Sequence, residues 1–127
     1  MESIIILNSN KNYNKKIKKC MYQDKFKFNS PKLNKNSFFV VKIDDDNNWL
    51  SFLHCVIRKR TLIFSFGFTN INFRRKGLSS ELRIWVIENI PDIDKYESLP
   101  MPGSYSKILL EKIGFIEENN KMVKYIK

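Results

Sequence analysis

Only two of the 127 residues are cysteine, Cys20 and Cys55, and one is histidine, His54. They form no metal-ligand or redox spacing, so neither a zinc centre nor a disulfide framework organises this chain. The thiols are expected to be reduced, in an intracellular, cytoplasmic protein. His54 sits inside a strand-like run and is expected to be structural rather than catalytic. No apolar run approaches the roughly 20 residues of a membrane-spanning helix, and no membrane partner is expected. The N-terminal Ile4-Ile5-Ile6-Leu7 is too short for a signal-peptide core, and no basic region precedes it. Internal repeats and a second-domain boundary are also lacking.

Negative charge is scarce. Asp and Glu number 13 against 23 Lys and Arg, for a net charge of +10. The excess is weak evidence of a nucleic-acid partner, because the chain is crowded with Lys, Asn, Ile, Phe and Tyr together. AT-rich coding sequence yields that mixture without selection for a basic surface. No recognisable RNA- or DNA-binding motif accompanies the charge, and a nucleic-acid partner is not expected. A basic balance does suit an anionic cofactor.

What is present fits one folded domain over residues 1–127. The hydrophobic fraction is 43% and the aromatic fraction 13%, enough for a core at this length. The central feature is the stretch from Thr69 to Leu82. An apolar run, Leu62 to Phe68, reads as a buried strand before it. After it, Leu78, Leu82, Trp85, Val86 and Ile90 fall at helical spacing. A strand, a basic loop with one glycine and a helix start are a general design for holding an anion. First-turn N–H groups are free and the helix dipole is positive there. Gly77 lets a phosphate approach the backbone, Arg74, Arg75 and Lys76 add charge, and Ser79 or Ser80 can cap the helix or donate a hydroxyl.

Along the chain, Ser3 to Leu7 reads as a first, buried strand and Asn8 to Asn12 as a polar break. Tyr13 to Tyr22 reads as a short helix with Tyr13, Ile17 and Met21 on one face. Gln23 to Asn36 reads as a loop. Ser37 to Ile43 and Trp49 to Ile57 make a hairpin around Asp44-Asp45-Asp46-Asn47-Asn48, a solvated turn rather than a calcium loop. Arg58-Lys59-Arg60 turns into a third antiparallel strand, Thr61 to Phe68. A helix from Leu78 to Ile90 ends before Pro91. Lys95 to Leu99 is a weak strand whose far end, at Pro100 and Pro102, cannot pair normally. A second helix, about Ser104 to Lys112, turns Ile108 and Leu109 inward and stops at Gly114. A hairpin closes the chain.

Arg74-Arg75-Lys76-Gly77-Leu78-Ser79 resembles the acyl-CoA signature of the GNAT-type N-acetyltransferases, Arg/Gln-x-x-Gly-x-Gly/Ala. Phe73 supplies the aromatic residue common before it. Gly103 to Phe115 resembles that family's second recurring segment, a helix ending in Glu-Lys-x-Gly-Phe. The resemblance covers Ser37 to Lys127, and the first third by analogy. It implies an α+β fold of the GNAT acyl-CoA N-acyltransferase type, a mostly antiparallel mixed sheet flanked by helices with strands splayed at the cofactor. It implies acetyl-CoA as acyl donor, no metal, and a small-molecule or peptide amine as acceptor, in a monomer or homodimer. The cofactor would lie against Phe68, Thr69, Ile71, Arg74, Arg75, Lys76, Gly77, Leu78, Ser79 and Ser80, with pantetheine along the strand from Gly67 to Ile71.

Three departures from the family pattern stand out. Ser79 replaces a Gly or Ala. Leu110 occupies the place where many members carry the tyrosine that protonates the leaving thiolate. Gly103 falls where an Asn often contacts cofactor. Tyr105 is the candidate acid in place of that tyrosine, with Ser106 and Tyr96 as alternatives. Glu97 is the candidate base, and Glu81 is expected to face solvent. Three functions fit these residues: an active acetyltransferase, an acyl-CoA-binding protein of the same fold without catalysis, and a small basic nucleic-acid-binding module.

Overall fold

A computed structural model of the chain describes residues 2–8, 13–21, 36–73, 77–99 and 106–126. The sequence expectations for residues 9–12, 22–35 and 100–105 lie outside the described residues. Within them, seven strands form one sheet in the order β1-β2-β3-β4-β5-β7-β6. They are β1 (Ser3–Asn8), β2 (Ser37–Ile43), β3 (Trp49–Arg58), β4 (Thr61–Thr69), β5 (Lys95–Ser98), β6 (Ile116–Glu118) and β7 (Lys121–Tyr125). Three helices flank it: α1 (Asn14–Met21), α2 (Leu78–Asn89) and α3 (Ser106–Lys112). Adjacent strands are antiparallel except β4 and β5, which run parallel.

Alternation along the strands divides the core between two faces. On one, Val40, Leu53, Cys55, Leu62, Phe64 and Tyr96 pack against Leu82 and Val86 of α2, and Leu110 of α3 joins the same cluster. On the other, Phe39, Val41, Trp49 and Phe52 pack against Ile17 and Cys20 of α1. Tyr13 joins that aromatic group with ring centroids 5.9 Å from Phe39 and 5.7 Å from Trp49.

Local signals explain most element ends. Gly114 adopts a left-handed φ of +99°. Its N–H bonds the Glu111 carbonyl at 3.1 Å and the Phe115 N–H bonds Leu110 at 3.0 Å, the paired closure of a glycine-terminated helix. Asn119 and Asn120, both left-handed, make the tight turn of the last hairpin. In the aspartate turn, Asp44 Oδ1 accepts the Asp46 and Asn48 N–H groups at 2.9 Å each, so this carboxylate holds the turn itself.

Three expectations are corrected. β1 is not a buried strand: it is the sheet's edge, half exposed, with Ile6 at the surface. In α3 the inward residue is Leu110, 1% exposed, while Ile108 is 50% exposed. The turn that ends at Gly114 brings Leu110 onto Phe115, which sets the helix's rotation. Helix α2 stops at Asn89, one residue short of Ile90, whose extended backbone forms the cap.

Two features of β4 bear on the site. Gly67 lies against β3, where a Cβ would stand 2.5 Å from Leu53 Cδ2 and 2.7 Å from the Phe52 carbonyl oxygen. The register also slips by one residue, from His54 opposite Phe66 to Cys55 opposite Phe64. Ser65 is the extra residue, a β-bulge that twists the strand. Its hydroxyl donates to the His54 carbonyl at 3.2 Å and lies 2.6 Å from His54 Nδ1. With its proton on the carbonyl, Ser65 Oγ accepts from Nδ1–H. His54 stacks on Phe66 and is fully buried; desolvation pushes its pKa down to about 4.

Gly67→Ala is therefore expected to destabilise the fold by about 1–3 kcal/mol, because the Phe52 backbone as well as the Leu53 side chain must move. Equilibrium denaturation measures this, and a variant as stable as the parent would show that β3 and β4 need no such close approach. For His54, the unfolded imidazole binds a proton near pH 6.5 and the folded one near pH 4. Its contribution is full above about pH 6.5 and is lost as pH falls toward about 4, with a slope of up to roughly one proton. His54→Phe should flatten stability against pH across that window; an unchanged slope would mean other groups carry the acid sensitivity.

Candidate functional site

Parallel pairing of β4 with β5 runs only from Thr61 opposite Lys95 to Phe64 opposite Ser98. Beyond it β4 continues through Thr69, bonded to β3 alone, and Leu99 is 74% exposed. The two strands part just where Ser65 bulges. An unpaired strand edge offers N–H and C=O groups that an amide-bearing ligand can take.

The chain then turns from this edge into α2. Asn70, 6% exposed, holds the turn on several sides. Its N–H bonds the Leu50 carbonyl at 2.8 Å and its Nδ2 donates to the Cys20 carbonyl at 2.9 Å. Its Oδ1 accepts the Asn72 N–H at 3.0 Å. Ile71–Phe73 form a 3-10 turn. Gly77 is the N-cap of α2, left-handed at φ 75°, and no side chain caps the helix. A Cβ there would meet nothing within 4 Å among the described residues, so the residue needs glycine for its conformation rather than for space.

The expected cofactor residues divide accordingly. Phe68 packs on the α1 side of β4. Thr69 ends β4, its Oγ1 2.8 Å from Ser51 Oγ. Ile71 opens the 3-10 turn; Gly77, Leu78, Ser79 and Ser80 form the start of α2. Arg74, Arg75 and Lys76 lie outside the described residues, as does Tyr105. Ser79 does not cap the helix: its hydroxyl and carbonyl accept from Arg83 Nη1 one turn on. Glu81 does not face free solvent either. It binds Lys42 of β2 at 2.7 and 2.9 Å, tying the first turn of α2 to the sheet.

Glu97 is central in β5, opposite Ile63, one residue before the strands part. It is 9% exposed, and its carboxylate lies 3.5 Å from Lys121 Nζ and 3.8 Å from Lys95 Nζ. Tyr96, beside it in sequence, points to the opposite face, where its hydroxyl donates to the Ile87 carbonyl at 3.4 Å. Leu110 is spent on the core. A shallow groove of about 500 Å³ also touches Gly77, but its rim carries Glu81 and Glu88, the wrong charge for a phosphate. Among the described residues no group of three His, Cys, Asp or Glu could hold a metal ion, and no helix is long and apolar enough to cross a membrane.

Sequence reasoning missed Asn70 and Arg83. An asparagine ending an apolar strand is an ordinary turn signal. Arg83 stands beside Leu82 on the flank of α2 turned to β4, and only its place next to the buried stripe hinted at burial.

No family model and no curated protein matches the sequence. Solved structures do resemble the fold. The solution structure of YhhK from E. coli, a candidate N-acetyltransferase bound to coenzyme A, matches with TM-score 0.78, 14% identity and 99% of each chain covered. A chimera of the Vibrio cholerae spermidine N-acetyltransferase SpeG with hSSAT matches with TM-score 0.70 and 14% identity, over 98% of this chain and 95% of that one. A GNAT-family acetyltransferase from Staphylococcus aureus matches with TM-score 0.71 and 14% identity, over 98% and 100%. At such identities the likeness is one of fold: the chain, seven strands in one mixed sheet with flanking helices and the glycine-led α2 lying in sequence between β4 and β5, has the GNAT-type acyl-CoA N-acyltransferase fold.

Proposed function

We propose that the protein is an N-acetyltransferase that moves an acetyl group from acetyl-CoA to a primary amine. The observation that carries this is the open edge of β4 beyond Phe64, followed by the uncapped, glycine-led N-terminus of α2. One binds an amide-bearing arm, the other its pyrophosphate. The bound coenzyme A of YhhK and the spermidine acetyltransferase among the structures of like fold support the donor and the amine acceptor.

In the reaction the amine nitrogen attacks the thioester carbonyl carbon, the N–C bond forms, and the C–S bond breaks to release the thiolate. The proton lost by the amine ends on the thiolate. A strand N–H polarises the carbonyl. Glu97 is the candidate base, since it lies one residue from the parting of the strands. Tyr105 is the candidate acid. The burial of Leu110 favours a second function, acyl-CoA binding without turnover, because the position where a tyrosine often serves holds a core side chain.

Acetyl-CoA should raise the melting temperature, by about 2.7 kcal/mol of stabilisation at a hundred times Kd. Gly77→Glu should abolish the shift by setting a carboxylate against the phosphates; a folded variant with the parent's shift places the pyrophosphate elsewhere. Glu97→Gln should lower turnover on the order of a hundredfold or more with acetyl-CoA stabilisation retained. Tyr105→Phe is the companion measurement. Full activity of either variant across pH removes that residue from the mechanism.

A further inference from the structure

Arg83 stands apart among the described cations. Its guanidinium lies with Cζ 5.5 Å from the centroid of the Phe64 ring, at the last pair of β4 with β5. Nη1 donates to the Ser79 carbonyl at 3.4 Å and to the Ser79 hydroxyl. Nε is buried with no hydrogen-bond partner, and no carboxylate pairs with Arg83 among the described residues. The titratable group that acts on it is the Cys55 thiol, itself kept protonated by burial. Desolvation pulls the guanidinium down to about 10, so at neutral pH it is still charged. Arg83 is half-buried, its Nε wholly so, and a charge drawn out of water without a counter-ion is costly unless a ligand supplies one. Arg60, by contrast, is paired with Asp94 at 2.6 Å in the open.

We infer that Arg83 is the counter-ion for a carboxylate carried on the transferred acyl group, so that the donor is the coenzyme A thioester of a dicarboxylic acid, of the malonyl or succinyl class. This rests on the acyl-donor function above and changes only the acyl group. The amine still attacks the thioester carbon and the thiolate still leaves; the far carboxylate stays ionised throughout. The position beside Phe64 is the reason for choosing the acyl end. Ser79 holds Nη1 from the start of α2, where the phosphates would lie at the open mouth of the gap, but Cζ stands over Phe64, at the closed end where the thioester would sit. Phe64 also stacks with Tyr96, with centroids 6.2 Å apart, so an acetyl methyl would leave the cation beside the Phe64 ring with Ser79 as its hydrogen-bond partner and no anion.

Calorimetric titration of the whole chain with coenzyme A, acetyl-CoA, malonyl-CoA and succinyl-CoA tests this, on the parent, Arg83→Met and Arg83→Lys. The parent should prefer a dicarboxylic thioester over acetyl-CoA by about tenfold to a hundredfold, the range for a charge-assisted bond. In Arg83→Met that ratio should fall to near one with coenzyme A affinity unchanged, and Arg83→Lys should keep part of it. The ligand-free Arg83→Met should melt no lower than the parent, since an unpaired buried charge is removed. If Arg83→Met weakens all four ligands by one factor, the anion is a phosphate and the acyl assignment is overturned. Equal affinities for all four in parent and variants overturn it as well, leaving coenzyme A binding intact. A parent that binds none of them sinks the acyl-donor function itself.

Discussion

β4 can keep one edge open only because β3 holds the other along its whole length. Pairing with β3 runs from Thr61 opposite Arg58 to Thr69 opposite Ser51, while β5 accompanies β4 for four residues. An isolated strand edge would not persist in water, since two strands alone are marginal. The aromatic layer beneath β3 supplies the missing support: Trp49, Phe39 and Phe52 lie with ring centroids 5.5 to 6.3 Å apart, under a strand that Gly67 allows to come close. The bulge at Ser65 is where these demands meet. It turns Phe64 toward α2 and Phe66 toward His54, and the twist it adds carries β4 away from β5.

The start of α2 is fixed by different means on its two flanks. On the side of β2, Glu81 and Lys42 form a short ion pair, with Lys42 mostly buried and Glu81 in the first turn. A carboxylate there balances the helix dipole and ties the turn to the sheet without occupying its amides. Toward β4, Arg83 reaches back one turn to Ser79, as long side chains on helices do. So the serine that could have capped the helix is engaged below its end, and no side chain of the described residues caps the helix at Gly77. Asn70 completes the arrangement by joining the end of β4 to α1 through Cys20, residues far apart in sequence.

Much of this was legible in the sequence where the signal is local. The three-strand meander, the glycine before α2, the stop at Gly114 and the last hairpin each follow from turn chemistry and periodicity within a few residues. What was not legible depends on neighbours brought from elsewhere. β1 is as apolar as a central strand, and only the sheet order makes it an edge. Ile108, Leu109 and Leu110 are interchangeable by composition; the closure onto Phe115 decides which is inward. Glu81 looks solvated until Lys42 arrives from β2. A one-residue bulge leaves no mark in an apolar run, so Ser65 read as one more strand residue, although it sets where the sheet parts.

Two charged groups close to the parting lie on opposite faces of the sheet. Arg83 sits over Phe64 on the α2 side. Glu97 neighbours Tyr96 in β5 and so points to the other side, between Lys95 and Lys121. A donor held from the α2 side and an amine approaching from the α1 side would meet at the edge of β4, and Glu97 would have to give up Lys95 or Lys121 to receive the amine. On the proposed function this division matters more than any single acid or base. A thiolate is stable enough to leave with help from water, so the leucine at position 110 costs less than the loss of orientation would. What the fold must supply is a gap open through the sheet at one place only, and the register of β4 between two partners of unequal length supplies it.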